Sequence, residues 1–426
     1  MSGRRPPVAA FITLGCKANR YDTGALMALT PACRYRSIDQ DRERGPVVAD
    51  VYVINTCAVT GQSAFQCRQM VRRARKWNPA ARIIVTGCLA AVAPESLVQA
   101  GADLVTAERE RVAAELGGAA EPGPVFFHRE GGVQLRGRAV VKVQDGCDQA
   151  CAYCIVRVAR GRSRSLATEE VLHQLRALAG QGFAEAVLTG IHLGFFGRER
   201  GESLVGLLRA IAAAPGMPGR IRLSSLDPPE IGPELIALLA AEPIFCPHLH
   251  LPLQSGDPDT LRRMNRTYTV AEFRERTLAL LAAIPRLAIG LDVIAGFPAE
   301  TDAAHRRTVE LIADLPVAYL HVFPFSARPG TPAARMRERV PQDIIKARAQ
   351  ELRDLGAAKK RAFLECRLGM TLLVLAETRK AGMVTGTSDT YLKTQFAGGE
   401  DVLGTIVRVR AEKNLGDRLE GKLEKN

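Results

Sequence analysis

The chain has 426 residues, enough for two to four domains with a large combined core. Its formal net charge is +13, which suits a polyanionic partner such as nucleic acid and is equally compatible with a solvated basic surface. No uncharged apolar run approaches the roughly 18 residues of a membrane span, no apolar stretch of signal-peptide length follows Arg4 and Arg5, and ten cysteines in so long a chain are not a small disulfide scaffold. A cytoplasmic setting with reduced thiols is therefore expected.

Three cysteines in the N-terminal part share one kind of setting. Cys16 ends Phe11-Ile12-Thr13-Leu14-Gly15-Cys16, Cys57 ends Val51-Tyr52-Val53-Ile54-Asn55-Thr56-Cys57, and Cys88 ends Ile83-Ile84-Val85-Thr86-Gly87-Cys88. Each is a short β-branched run closed by a polar residue or glycine, and helix-like sequence follows the last two. The interval from Cys57 to Cys88 fits one strand–helix–strand unit. Residues just past the carboxyl ends of parallel strands share one sheet edge, where ligands bind. One cysteine there is usually a small core residue; three in equivalent positions argue for a cluster site.

The strand Ala139-Val140-Val141-Lys142-Val143 then runs into Gly146-Cys147-Asp148-Gln149-Ala150-Cys151-Ala152-Tyr153-Cys154. Three thiolates at this spacing can hold three irons of a cubane cluster. With no fourth cysteine nearby, the fourth iron stays open to an outside ligand. A structural zinc site would want a fourth Cys or His at short spacing, and the next histidine is His173, inside a helical pattern. A dithiol formed by Cys151 and Cys154 would leave Cys147 unexplained.

From here strands and helices alternate, with apolar runs at 139–143, 186–190, 220–226, 248–253, 287–295 and 318–324. After Thr168, read as an N-cap, the residues Val171, Leu172, Leu175, Leu178 and Ala179 form one apolar stripe. Such units predict a parallel α/β barrel, open or closed, with functional residues at the strand C-termini. Thr189-Gly190, Ser224-Ser225, the run His248 to Gly256 and the run Asp292 to Glu300 fall at those ends. Gly190 and Gly296 offer bare backbone to a ligand, while Ser225, Gln254 and Asp292 offer hydrogen bonds. His248 and His250 alternate on one strand face, as a metal pair or, the preferred reading, as substrate contacts or satisfied core imidazoles. Cys33, Cys67, Cys246 and Cys366 fit no triplet and read as buried filler.

A long Arg- and Ala-rich helix is predicted from about 342 to 367. Beyond Gly369 come short β-rich runs with Gly-rich turns, the pattern of a small antiparallel barrel. Residues 369–426 hold nine Lys or Arg and eight Asp or Glu. Any RNA contact must therefore come from a local face, with Lys393, Arg408 and Arg410 as candidates.

The Cys-x3-Cys-x2-Cys loop with an aromatic before its last cysteine resembles the radical S-adenosylmethionine (SAM) enzymes. The upstream triplet, with Gly15-Cys16-Lys17-Ala18-Asn19, Asn55-Thr56-Cys57 and Thr86-Gly87-Cys88, narrows the resemblance to the methylthiotransferases. Lys17, Asn19 and Gln144-Asp145-Gly146 look most like the MtaB type, which acts on N6-threonylcarbamoyladenosine at position 37 of tRNA. That resemblance covers essentially the whole chain and implies a α/β organisation. Residues 1–130 would be an open parallel-sheet domain with an auxiliary cluster, 131–368 a radical SAM partial barrel, and 369–426 a TRAM-like RNA-binding barrel.

By the same resemblance, Cys16, Cys57 and Cys88 hold one 4Fe-4S cluster, and Cys147, Cys151 and Cys154 hold the catalytic one. Thr189, Gly190, Ser225, Gln254, Asp292 and Gly296 surround SAM. The implied partners are the tRNA anticodon stem-loop and an electron donor such as flavodoxin or ferredoxin, with no membrane. Arg157 departs from the family's usual proline and could alter the cluster-loop backbone. The alternatives are isopentenyladenosine tRNA or a ribosomal-protein side chain as substrate, and a non-catalytic iron–sulfur RNA-binding protein.

Overall fold

The computed structural model describes residues 7–43, 45–118, 133–135 and 137–424, so the boundary expected at 130 lies outside the described residues. Five short parallel strands form the first sheet: β1 (Val8–Thr13), β2 (Arg36–Asp39), β3 (Val51–Thr56), β4 (Arg82–Gly87) and β5 (Leu104–Val105), in the order β2-β1-β3-β4-β5. β3 is buried along its whole length, as a continuous β-branched run predicts for a sheet covered on both faces. The covering helices are α1 (Lys17–Leu29), α2 (Gly61–Trp77), α3 (Cys88–Val92), α4 (Pro94–Val98) and α5 (Arg109–Glu115).

The middle of the chain is a half-open barrel made of two sheets. In the first, β6 (Val133–Leu135) pairs antiparallel with β7 (Arg138–Lys142), which continues in parallel through β10 (Glu185–Thr189) to β11 (Arg220–Leu223). The second is the parallel set β12 (His248–Gln254), β13 (Ala288–Ala295) and β14 (Tyr319–Pro324). The two sheets touch through an isolated bridge, Ile221 to Phe245. A two-stranded hairpin, β8 (Gln144–Asp145) with β9 (Arg164–Ser165), brackets the cysteine loop and the short helix α6 (Val156–Arg160).

The helices α7 (Thr168–Gly180), α8 (Leu204–Ala213), α9 (Pro233–Ala241), α10 (Pro258–Arg263), α11 (Val270–Ala283) and α12 (Asp302–Asp314) alternate with the strands. Leu175, Leu207, Leu235, Phe273 and Ile312 from five of them share one core with Val141, Leu188, Leu223, Leu251 and Leu291 of the strands. The opposite strand face, which carries Arg138, Lys142, Arg222, His248 and Asp292, is polar. Thr168 is the first residue of α7 rather than its cap, and Glu170 accepts from the Ala167 N–H at 3.2 Å.

The helix α13 (Gln342–Glu365) leads into a closed five-stranded barrel: β15 (Thr371–Lys380), β16 (Met383–Ser388), β17 (Lys393–Ala397), β18 (Ile406–Asn414) and β19 (Leu419–Leu423). It is antiparallel except where β17 and β19 run parallel to close it. The small barrel is keyed onto the large one by arginines. Arg222 donates to the carbonyls of Asp389 at 2.8 Å and Ser388 at 2.9 Å; Arg220 donates to those of Leu373 at 2.7 Å and Thr387 at 2.9 Å. Among the described residues no helix is long and apolar enough to cross a membrane.

Candidate active site and metal centres

The loop carrying Cys147, Cys151 and Cys154 is held from every side at the C-terminal rim of the barrel. Gly146 sits at φ +72° with the Arg162 carbonyl where a Cβ would be, a turn that glycine alone makes without strain. The Cys147 N–H then donates to the Gly161 carbonyl at 3.1 Å, and Ala152 is bonded in sheet fashion to Met264 at 2.9 Å and Ala333 at 2.8 Å. Side chains complete the clamp. His192 Nδ1 lies 3.6 Å from the Cys147 sulfur while its Nε2 meets Glu230, and Arg266 donates to the Cys151 sulfur at 3.2 Å while paired with Asp227 at 2.6 Å. Beside the loop opens a cavity of about 700 Å³ lined by Asp148, Gln149, Ser163, Phe195, Glu230 and Asn265.

The chemistry of this donor set fits a cluster. Burial pushes the Cys154 thiol up to about 12 and raises Cys151 as well, with Arg266 opposing. Neither is the low-pKa thiolate that a dithiol redox motif uses; bound iron would deprotonate them outright. Among the described residues only His250, Asp292 and His321 bring three candidate ligand atoms within 4.8 Å of one another. Neither cysteine triplet gathers its sulfurs that closely, so neither is arranged around one small ion.

The second triplet lies where three parallel strands end. Cys16 caps α1, Cys57 follows β3 and Cys88 opens α3. Gly15, at φ +113°, brings its turn so close to Cys57 that an added Cβ would stand 2.8 Å from the cysteine Cβ. Asn19 ties the two turns together, donating to the carbonyls of Leu14 at 2.8 Å and Thr56 at 2.9 Å. Burial pushes the Cys88 thiol up; Arg160 opposes that shift, and the nearby Cys16 and Cys57 add to it.

Two buried carboxylates and three cations join the two triplets. Arg160, six residues past Cys154, donates to Asn19 at 2.5 Å, Asp22 at 3.0 Å and Asp145 at 2.9 Å. Lys142 bridges Asp22 and Asp145, and Arg109 reaches Asp22 at 2.7 Å. These cations hold both carboxyls below the ordinary range against the opposing effect of burial, which is the largest single contribution.

The residues expected around SAM divide. Thr189 is buried, with its carbonyl accepting from Val143 at 2.9 Å. Gln254 ends β12 at φ +61°, a strained backbone at the rim. Asp292 is gripped by His250 at 2.8 Å and His321 at 3.3 Å; burial raises its carboxyl, and these two bonds bring it down to about 2. Ser225 is exposed, whereas its neighbour Ser224 has a buried hydroxyl with no partner among the described residues.

The space where a Cβ of Gly190 or Gly296 would stand is filled by protein. A Cβ on Gly190 would meet Gln144 at 2.9 Å, and one on Gly296 would meet Ile345, so protein fills both spaces. His248 and His250 do not pair around a metal: the Tyr319 hydroxyl bonds both, at 2.8 and 3.3 Å. Gly290 makes room for that tyrosine, whose ring occupies the place of a Cβ. Cys67 and Cys246 are buried as expected, but Cys33 and Cys366 are exposed. Arg157 is exposed within α6, in its first turn, where a proline would also fit, so the exchange leaves the loop backbone helical. Lys393 bonds Glu377 at 2.9 Å, Arg408 meets Glu424 at 3.5 Å, and Arg410 is exposed without an ion pair among the described residues. Sequence reading did not single out His192, Arg266 or Arg160, which carry most of the cluster-side contacts. His192, two residues past Gly190, carried no signal of its own, and nothing distinguished the two arginines among 58 basic residues.

Residues 141–312 match the model of the Radical SAM superfamily, and residues 8–107 match that of Uncharacterized protein family UPF0004. The chain is 36% identical to the threonylcarbamoyladenosine tRNA methylthiotransferase MtaB of Bacillus subtilis, over 95% of this chain and 93% of that protein. It is 33% identical to the MtaB of Thermotoga maritima, over 96% and 98%. Its identity is 32% to the tRNA-2-methylthio-N(6)-dimethylallyladenosine synthase of Geobacter metallireducens, over 96% and 97%. In fold it is similar to the radical SAM methyltransferase TsrM of Kitasatospora setae, with a TM-score of 0.58 at 15% identity over 94% of this chain and 83% of that one. Relatives at 32–36% identity matched along nearly their whole length, with the Radical SAM match over the barrel, place the chain in the radical SAM methylthiotransferase family, whose members work with SAM and 4Fe-4S clusters.

Proposed function

We propose that this enzyme inserts a methylthio group at C2 of N6-threonylcarbamoyladenosine at position 37 of tRNA. The observation that carries the reading is the buried link from Arg160 to Asn19 and Asp22, which sets both cysteine triplets at one rim. In this reading Cys147, Cys151 and Cys154 hold the cluster that binds SAM, and Cys16, Cys57 and Cys88 hold the auxiliary cluster. The clusters and SAM supply the electron, the 5′-deoxyadenosyl radical that attacks the C–H bond, the sulfur and the methyl group. The chain's own part is placement. His192 and Arg266 fix the orientation of the cluster loop, Gln254 and Asp292 face the SAM side of the rim, and Lys142, Asp145 and Arg160 hold the upstream domain against it. The target base leaves the anticodon-loop stack to reach the rim. Exposed cations of the C-terminal barrel, Arg408 and Arg410, meet tRNA phosphates, and a small electron-transfer protein such as flavodoxin or ferredoxin delivers the electrons.

The test is nucleoside mass spectrometry of threonylcarbamoyladenosine-bearing tRNA incubated with the reconstituted enzyme, SAM and a reductant. The expected product is heavier by one methylthio group in place of one hydrogen. Modification of dimethylallyladenosine tRNA instead would refute the substrate; release of 5′-deoxyadenosine without any tRNA product would refute the role.

A further inference from the structure

Among the described residues, the inner face of the barrel holds a cation, Lys17, with no hydrogen bond or ion pair. The lower strand ends carry Arg138, Glu185, Arg220, Arg222 and His248, and Tyr391 of the small barrel stacks beneath them, its ring 4.5 Å from that of His248. The charges here are almost all matched. Arg138 reaches Glu377 at 2.8 Å, while Arg220 and Arg222 share Glu185 at 2.5 and 2.9 Å. The remaining guanidinium donors of Arg220 and Arg222 go to backbone carbonyls of the small barrel.

Lys17 enters this floor from the first turn of α1, one residue past Cys16. Its ammonium lies over the Tyr391 ring at 5.8 Å and, among the described residues, makes no hydrogen bond or ion pair. The adjacent imidazole of His248 cannot neutralise it, because an imidazole is neutral or cationic and never an anion. Glu185 and Glu377 are already taken. A cation in a partly dry pocket with only an aromatic face for company costs free energy that an anion would return.

Lys17 is itself half-buried rather than shut in. Above it the inner wall is open to solvent at Asp292, Ile294, His321 and Phe323. A base held at the rim between the two triplets could direct a substituent down this wall toward Lys17. The substrate groups of the two kinds of relative differ here: a threonylcarbamoyl group ends in a carboxylate, whereas a dimethylallyl group is an uncharged hydrocarbon.

Resting on the proposed function, we propose that Lys17 is the residue that reads the N6 substituent, its ammonium pairing with the carboxylate of the threonylcarbamoyl group at the floor of the barrel. A charge-assisted bond in a desolvated pocket is the kind of contact whose loss changes affinity strongly, since either partner is then left buried and unpaired.

The test is a binding cycle on the full-length reconstituted protein, without reductant. Its ligands are an anticodon stem-loop bearing threonylcarbamoyladenosine and the same stem-loop with the carboxylate converted to the amide. In the wild type, amidation should weaken binding about tenfold or more; in Lys17→Gln it should change binding less than threefold, and Lys17→Arg should recover most of the discrimination. Amidation that weakens wild type and Lys17→Gln by the same factor would overturn the proposal. Comparing the two stem-loops on the wild type alone needs no variant to fold, and equal affinity for both would also overturn it. If the wild type instead binds a dimethylallyladenosine stem-loop more tightly than the threonylcarbamoyladenosine one, the substrate reading fails first.

Discussion

Arg160 stands 3.0 Å from Asp22, although one follows Cys154 of the downstream triplet and the other follows Cys16, the first cysteine of the upstream one. The same guanidinium reaches Asp145, two residues before Cys147, and Asn19, three after Cys16. Both carboxylates are shut away from water, and Ile155, just before α6, and Ala159 within it pack into the core of the first domain. The spacing of the two triplets is thereby set by a buried charge network, which tolerates loss of one partner poorly.

Arg160→Met should therefore destabilise the protein by about 3–5 kcal/mol, because it leaves two buried carboxylates under-compensated. Arg160→Lys should cost less but still loosen the junction, since one ammonium cannot reproduce a fork that spans Asn19, Asp22 and Asp145. Anaerobic urea unfolding gives the stability. Pulsed electron–electron distance measurement between the reduced clusters gives the junction, with a broadened distribution expected for Lys and a wild-type one refuting the role.

The two cysteine sets should separate by chemistry. Replacing Cys147, Cys151 and Cys154 with Ala should leave about half of the wild-type iron and abolish 5′-deoxyadenosine formation, following the three-cysteine logic of an open cluster site. Cys57→Ala should still form 5′-deoxyadenosine while giving no methylthio product. Full iron in the triple variant, or methylthiolated tRNA from Cys57→Ala at the wild-type rate, would contradict the assignment.

Glu185 ties β10 to the arginines that key the small barrel onto the large one. Burial pushes its carboxyl up, but Arg222 and Arg220 outweigh that and hold it down to about 2, from 4.5. A depressed folded value means that the stabilisation is present above the unfolded value and is lost as pH falls from about 4.5 through about 2. Glu185→Gln should thus cost about 3 kcal/mol at neutral pH. The cost should be the same at pH 5.5 and pH 8, which unfolding curves at the two values check. A difference that grows between them would point to another group.

Much of this architecture was legible because its signals are periodic or local. The six barrel strands lie within about two residues of the apolar runs, since both the inner and outer faces of a parallel sheet are shielded and β-branched runs stand out. The strand-end cysteines were visible because each closes such a run. What escaped was long-range. Arg160 meets Asp22, Arg266 meets Cys151, and Arg222 meets the carbonyls of Ser388 and Asp389, all across folded distances that carry no periodic trace. The packing beside glycines escaped for a related reason: Gly190 and Gly296 make room for Gln144 and Ile345, and a missing Cβ does not say which neighbour fills the gap.

Those arginine keys change how tRNA binding must be tested. Deleting residues 369–426 would strip Arg220 and Arg222 of their carbonyl acceptors and Arg138 of Glu377, leaving buried cations exposed or unpaired. The truncated protein would report misfolding rather than lost RNA contacts. Charge reversal on the outer face of β18 avoids this, because Arg408 and Arg410 point to solvent and Arg410 holds no ion pair among the described residues. The double variant Arg408→Glu and Arg410→Glu should weaken tRNA binding about equally for all tRNAs. The slope of log K against log salt should become shallower by about 1.8, from roughly 0.9 per lost phosphate contact. Iron content should match the wild type, since neither side chain comes near a cysteine triplet. An unchanged salt slope would remove this face from the tRNA surface.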